Sequence, residues 1–187
     1  MRIFPLTIDR WADFEGLFKR GGPQNMCWCM AWRVSSAEMS TRTREQNKGD
    51  FNAIVAEGRE PGLLAYDGEK AVGWIAVAPR SEVAARFTAR ARIYKPIDNV
   101  AVWSVTCFYT RRDYRGQGIS KALLNAAVAY AFDHGAPMVE AYPYVPADDA
   151  PASEYSVYTG ALSLFLKAGF TEVARPSPAR ALVRKAP

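Results

Sequence analysis

From Val100 to Thr110 the chain runs through Val, Trp, Val, Thr, Phe and Tyr, a β-branched and aromatic stretch that predicts a central strand. Beyond Gly118 the period changes. Ile119, Leu123, Ala127, Tyr130 and Ala131 recur at helical spacing, which predicts one apolar face of a helix ending at Gly135. Met138 to Val145 reads as the next strand, and its alternation puts Glu140 and Tyr142 on one face. Upstream, residues 1–8 suggest a strand, and Asp9 a cap for a helix from Arg10 to about Arg20 that Gly21-Gly22-Pro23 stops. A helical region is expected over Ser36–Glu57, with a break near Gly49-Asp50. Gly62–Tyr66 and Ala71–Ala78 read as a hairpin turning at Asp67-Gly68. Residues 80–98 are an arginine-rich excursion and Pro146–Ser156 a loop. Thr159–Ala168 suggests a short helix, and Thr171–Ala174 with Arg180–Lys185 a closing hairpin. Helices fall between strands, so a single α/β domain with a mixed sheet is expected over residues 1–187.

Composition narrows the function classes. Apolar residues make up 49% and charged residues 23%, a globular balance that argues against general disorder. The longest apolar-rich run, Ala122–Phe132, is broken by Asn125 and is too short to cross a bilayer. Asp9 and Arg10 interrupt the place where a signal peptide needs an apolar core, so a soluble cytoplasmic protein with no membrane partner is expected. The net charge of +5 favours anionic ligands, phosphates included, but the basic residues are dispersed and do not call for nucleic acid. Three cysteines are expected to stay thiols, and a lone histidine, His134, excludes a histidine-rich metal centre.

The chemistry concentrates in FYTRRDYRGQGISKALL, residues 108–124. A strand ends at Thr110, Gly116 and Gly118 open the backbone, and a helix starts at once. Glycines let main-chain N–H groups approach a ligand, and the first helical turn offers unpaired donors and partial positive charge. With nearby arginines, this unit forms a pyrophosphate cradle. The spacing does not supply the G-x-x-x-x-G-K-[ST] of a nucleotide loop. It also lacks the third glycine of a dinucleotide fingerprint.

DYRGQGIS resembles the acyl-CoA pyrophosphate loop of the GNAT superfamily of N-acetyltransferases, whose pattern is Q/R-x-x-G-x-G/A. Arg115 and Gly118 match, and Ser120 stands where Gly or Ala is usual. VEAYPYV and GALSLFLKAGFTEV, with Gly169-Phe170, are similar to the strand and helix that follow in that family. The resemblance implies a GNAT-like acyltransferase fold with the order β-α-α-β-β-β-α-β-α-β-β and an acetyl-CoA co-substrate. It places Phe108, Tyr109 and Thr110 against the pantetheine and thioester, and Arg115, Gly116, Gln117, Gly118, Ile119 and Ser120 around the pyrophosphate. The acceptor would be a small-molecule or peptide amine. No metal or nucleic acid is called for, and the oligomeric state is open, a homodimer included.

The pattern also departs from the family. The usual tyrosine acid is replaced by Phe165, counted here with the cofactor-binding residues, and the asparagine seven residues earlier by Tyr158. Tyr158, Tyr142 and Tyr144 are the alternative proton donors, unless the thiolate leaves unaided. Glu140 is the candidate base, with a solvated strand residue as the plain alternative. Arg86, Arg90 and Arg92 could reach the 3′-phosphate of CoA, though a solvated face suits them better. Asp148 and Asp149 read as surface charges, Cys107 as a small core residue and His134 as a helix-end cap.

One further stretch, NMCWCMAWR at residues 25–33, raises three readings. A zinc site needs about four ligands, and Cys27 and Cys29 have no paired partners elsewhere. A Cys-x-Cys disulfide would be strained. In the resembled fold this segment borders the acceptor side, which implies Trp28, Met30 and Trp32 as candidate walls for the acceptor amine, with anchors of the loop to the core as the plain alternative. Two function classes remain: a coenzyme-A-dependent N-acyltransferase, and a noncatalytic acyl-CoA-binding regulator.

Overall fold

A computed structural model describes residues 1–19, 23–86, 94–146 and 158–187. The strands are β1 (Arg2–Pro5), β2 (Gly62–Asp67), β3 (Lys70–Pro79), β4 (Trp103–Thr110), β5 (Val139–Ala141), β6 (Thr171–Ser177) and β7 (Arg180–Lys185). The helices are α1 (Trp11–Phe18), α2 (Pro23–Cys27), α3 (Ser36–Met39), α4 (Arg44–Ala56), α5 (Ile119–Asp133) and α6 (Leu162–Lys167). The strands form one seven-stranded sheet in the order β1-β2-β3-β4-β5-β7-β6. Among the described strands only β4 and β5 run parallel, which the intervening α5 crossover makes possible.

Most expected elements are present, and the differences have local causes. Four helices lie between β1 and β2 instead of two. The break in the Ser36–Glu57 region falls before Arg44, not at Gly49-Asp50. Thr43 accepts from the Gln46 N–H at 3.1 Å, and the Gln46 side chain accepts from the Thr43 N–H at 2.8 Å. That reciprocal capping box starts a new helix, and α4 then runs through Gly49 without interruption. Asp9 sits inside a 3-10 turn, Ile8–Arg10, and does not cap α1. Pro23–Cys27 is helical where a loop was expected. β5 is only three residues long, because beyond Ala141 it loses β4.

The sheet divides the core in two. On one face, α5 buries Ile119, Leu123, Leu124, Ala127, Val128 and Ala131 against Val72, Ile75, Val105 and Val139, and α6 adds Phe165. Each large aliphatic side chain in this layer contributes roughly 1.5–3 kcal/mol by burial. On the other face, Phe14, Phe18, Trp28, Phe51 and Trp74 form an aromatic cluster. Their rings meet in tilted and edge-to-face contacts, such as Phe14–Trp74 at 4.8 Å. A smaller cluster of Trp32, Val83, Tyr142 and Leu182 continues that face past β5.

Candidate active site

β4 and β5 pair at Trp103–Val139, Ser104–Glu140 and Val105–Ala141 and then part. The gap is filled by the chain entering α6. The Phe108 N–H donates to the Tyr158 carbonyl at 2.6 Å, the Tyr144 N–H to Gly160 at 2.8 Å, and the Leu162 N–H to Tyr144 at 2.9 Å. Gly160 is required there: its φ is +81°, and a Cβ would lie 2.8 Å from Phe165 and 3.1 Å from Phe108. Beside this seam opens a cleft of about 560 Å³, within the usual range for ligand sites. Phe108, Tyr109 and Thr110 form one wall, and Tyr158, Gly160, Ala161 and Leu164 the other.

The far end of the cleft is the loop before α5. Gly116 and Gly118 have φ of +77° and +78°, the left-handed region that glycine enters without penalty. Gly118 is the N-cap of α5 and no side chain caps it, so the first-turn N–H groups have no intrahelical partner. A Cβ at Gly118 would meet nothing within 4 Å, so the backbone here faces open space. Arg115, Ser120 and Lys121 line the same end, and the hydroxyls of Thr110 and Ser120 stand 3.4 Å apart. No carboxylate is among the described lining residues. Asp113 is drawn away by a two-pronged bond from Arg111, at 3.1 and 2.6 Å. Donors, helix end and cations together suit a pyrophosphate.

Glu140 lies elsewhere, on the opposite face of the sheet. It is fully buried, accepts from Arg184 Nε at 2.8 Å and from the Tyr142 hydroxyl at 3.2 Å, and has Arg80 Nη1 at 3.4 Å. Arg184 reaches on to both oxygens of Asp98, and Arg80 donates to the Asp98 and Val100 carbonyls at 3.2 and 2.9 Å. This network pins the 94–102 segment to β5 and β7. The Arg184 guanidinium holds the Asp98 carboxyl down at about 2. Burial, reinforced by the Glu140 charge, pushes the Tyr142 phenol well above its ordinary range. Ser104, opposite Glu140, is also buried, and its hydroxyl has no partner among the described residues.

These positions revise several sequence-based expectations. Glu140 is a clamp between guanidinium groups, with its lone pairs engaged, so it is poorly placed to act as a base. Tyr142 is buried against it and holds its proton too tightly to be a ready donor. Phe165 does not line the cleft; it is fully buried and packs edge-on behind Phe108, with ring centroids 5.9 Å apart. The Gln117 side chain turns back to the Asp113 carbonyl at 3.3 Å. Trp28, Met30 and Trp32 are at most 5% exposed, so they are core anchors and form no wall of the described cleft. Trp28 and Cys29 have φ of +42° and +60°, and the buried Cys29 sulfur accepts from Trp74 Nε1 at 3.1 Å. Such strain persists only where packing over-determines it. The side chains of Arg86, Arg90, Arg92, Asp148 and Asp149 lie outside the described residues.

Phe108, Tyr109, Thr110, Arg115, Gly116, Gly118, Ile119, Ser120 and Tyr158 do meet in one cleft. Tyr114, Lys121, Gly160, Ala161 and Leu164 also line it and were not anticipated. Lys121 was visible as the last residue of the glycine loop's first helical turn. Tyr114 stands in the turn just before that loop, and Gly160, Ala161 and Leu164 depend on how α6 folds back.

The profile of the Acetyltransferase (GNAT) family matches residues 26–155. The chain belongs to this family. No curated protein matches the GNAT chain in sequence. Its fold is similar to that of PaiA N-acetyltransferase from Thermoplasma acidophilum, solved with coenzyme A, at TM-score 0.56 and 16% identity over 100% of this chain and 98% of that one. Ribosomal-protein-alanine N-acetyltransferase from Brucella melitensis gives TM-score 0.57 and 15% identity, covering 100% of both chains. Drosophila melanogaster polyamine N-acetyltransferase, which forms N-acetylagmatine, gives TM-score 0.57 and 11% identity over 100% of this chain and 99% of that one. Among the described residues of this GNAT protein, no helix is long and apolar enough to cross a membrane, and no group of three His, Cys, Asp or Glu side chains is placed to hold a metal ion.

Two predictions follow from the clamp. Glu140→Gln takes from Arg80 its carboxylate and from Arg184 one of its two, and should cost about 3–5 kcal/mol, lowering Tm by about 10 °C in calorimetry. An unchanged Tm would show that the clamp does not hold the sheet. Asp98 has a folded pKa of about 2, below its unfolded value near 3.9. Its contribution is therefore complete above about pH 4 and is lost as the pH falls towards about 2. Acid unfolding followed by circular dichroism should show a shallower slope in that window for Asp98→Asn.

Proposed function

We propose that this GNAT protein is an acyl-CoA-dependent N-acyltransferase that moves an acetyl group from acetyl-CoA to a primary amine by direct attack. The observation that carries this reading is continuity. One cleft joins the glycine loop at the start of α5 to the Phe108 N–H at the β4–β5 gap. The loop N–H groups, Arg115 and Lys121 would hold the pyrophosphate, and Phe108 to Thr110 would run beside the pantetheine. The residues present therefore fit the co-substrate at both ends.

The Phe108 N–H is the donor that would polarise the thioester carbonyl and stabilise the oxyanion formed on attack. It already donates to the Tyr158 carbonyl, so a thioester oxygen takes that place only by displacing Tyr158. Binding and movement of the Tyr158–Ala161 segment are thereby linked. No carboxylate faces the described cleft, so an ammonium acceptor would lose its proton to water before attack. Of the three tyrosines considered as proton donors, Tyr158 alone lines the cleft. It would be the residue to protonate the departing thiolate.

Gly118→Val forces a β-branched side chain into left-handed backbone and fills the open side of the loop. Acetyl-CoA affinity by calorimetry should fall at least roughly tenfold with the fold intact by circular dichroism. Unchanged affinity would remove the loop from cofactor binding. Tyr158→Phe should lower kcat by about 100-fold with little change in acetyl-CoA affinity, whereas an unaltered kcat would mean that the thiolate leaves without help. The activity itself is tested by thiol release from acetyl-CoA across a broad amine panel. Tight acetyl-CoA binding without turnover on any amine would instead assign a noncatalytic acyl-CoA-binding regulator.

A further inference from the structure

The co-substrate cleft lies on the α5–α6 side of the sheet, so an amine must reach the acyl carbon from the opposite face. There β5 and β7 present Glu140, Tyr142, Leu182 and Arg184, and the row ends at Arg180, beside the β4–β5 gap. The other described arginines of this face are paired. Arg33 meets Glu82 at 3.6 Å, Arg80 meets Glu140, and Arg184 meets Glu140 and Asp98. Arg180 has no carboxylate partner among the described residues.

Its guanidinium is nevertheless fixed in place. Nη1 donates to the Thr159 hydroxyl and to the Tyr142 carbonyl at 3.4 Å. The group lies 5.8 Å from the Tyr144 ring centroid and 5.9 Å from that of Tyr158, so two aromatic faces hold it by cation–π attraction. Nε and Nη2 make no bond to a described residue, and together they form the two-pronged edge that matches a carboxylate. Thr159, which Arg180 grips, directly follows the residue whose carbonyl occupies the Phe108 N–H. The half-buried cation, unneutralised among the described residues, thus stands next to the place where the acyl carbonyl would be polarised.

Resting on the transferase reading above, we propose that Arg180 selects the acceptor: an amine that carries a carboxylate, of the amino-acid class, bound through the Nε–Nη2 edge. The same charge disfavours polyamines, whose amines are cations with no anionic group to offset the repulsion. Arg180 is a specificity-determining residue here. The covalent step is unchanged: the neutral amine nitrogen bonds to the acyl carbon, the thioester C–S bond breaks, coenzyme A leaves as a thiolate that takes a proton from Tyr158, and the nitrogen's surplus proton leaves through water, which reprotonates Tyr158.

The test is a matched panel in the thiol-release assay: alanine with ethylamine, phenylalanine with phenethylamine, tyrosine with tyramine, and lysine with cadaverine. The wild-type protein should prefer the carboxylate member of at least one pair by more than tenfold in kcat/KM. In Arg180→Gln that preference should collapse by roughly 10- to 100-fold, mainly through KM, with acetyl-CoA affinity unchanged. Arg180→Lys, which keeps the charge but not the fork, should restore part of it. Faster turnover of the decarboxylated amines by the wild-type protein would overturn the assignment and leave the transferase reading standing, whatever the variants do. Equal losses for both members of each pair in Arg180→Gln would likewise overturn it, since a merely structural arginine acts on every acceptor alike. If no amine of either kind is acetylated while acetyl-CoA still binds, the transferase reading fails and this one with it.

Discussion

The structure depends on one constraint: β4 and β5 stay paired for only three residues. A parallel pair that separates leaves main-chain donors facing a gap, and buried donors must find partners. Here the chain entering α6 supplies them. Tyr158, Gly160 and Tyr144 close the seam by main-chain bonds, and Gly160 is the residue that can pass between Phe108 and Phe165. The cleft, the glycine loop at its far end and the candidate acyl-polarising N–H are all arranged around that separation.

What keeps the strands together before they part is electrostatic as well as apolar. On one face, α5 packs aliphatic side chains over β3, β4 and β5. On the other, the buried Glu140 carboxylate gathers Arg184, Arg80 and the Tyr142 hydroxyl, and Arg184 carries the connection to Asp98. A carboxylate in that setting is costly to bury and costlier to leave unpaired, so it organises its neighbours. The same face ends in Arg180, whose charge is left unneutralised by the described residues. Two arginines four residues apart on β7 thus have different parts, one consumed by the clamp and one open at the seam.

The fold and the glycine-loop end of the cleft were legible because both rest on local pattern. Helical spacing from Ile119, the glycines at 116 and 118 and the alternating β4 residues are short-range signals, and the family relationship extends them. The helix break before Arg44 was legible in principle too, in the Thr43-x-x-Gln46 capping box. Glu140 and Tyr142 were correctly placed on one face, but their alternation carried no information about Arg80, Arg184 or Asp98, which arrive from 40 or more residues away in sequence. Trp28, Met30 and Trp32 looked like a ligand wall for a similar reason. Aromatic residues in a loop serve core and pocket equally well, and only packing distinguishes the two: Trp28 and Met30 join the cluster of Phe14, Phe18 and Trp74, and Trp32 packs against Tyr94 and Tyr142.

By itself the sequence determined the α/β class, the strand–glycine loop–helix unit and its fitness for a pyrophosphate, since each is set by residues within one or two turns of each other. The tertiary structure alone decided which polar groups face the site. It withdrew Glu140 and Tyr142 into a buried clamp, sealed Trp28 and Trp32 into the core, laid Tyr158 against the Phe108 N–H and left Arg180 half-buried at the seam. The availability of a charge or a donor is a property of its whole surroundings, and those surroundings come from distant parts of the chain.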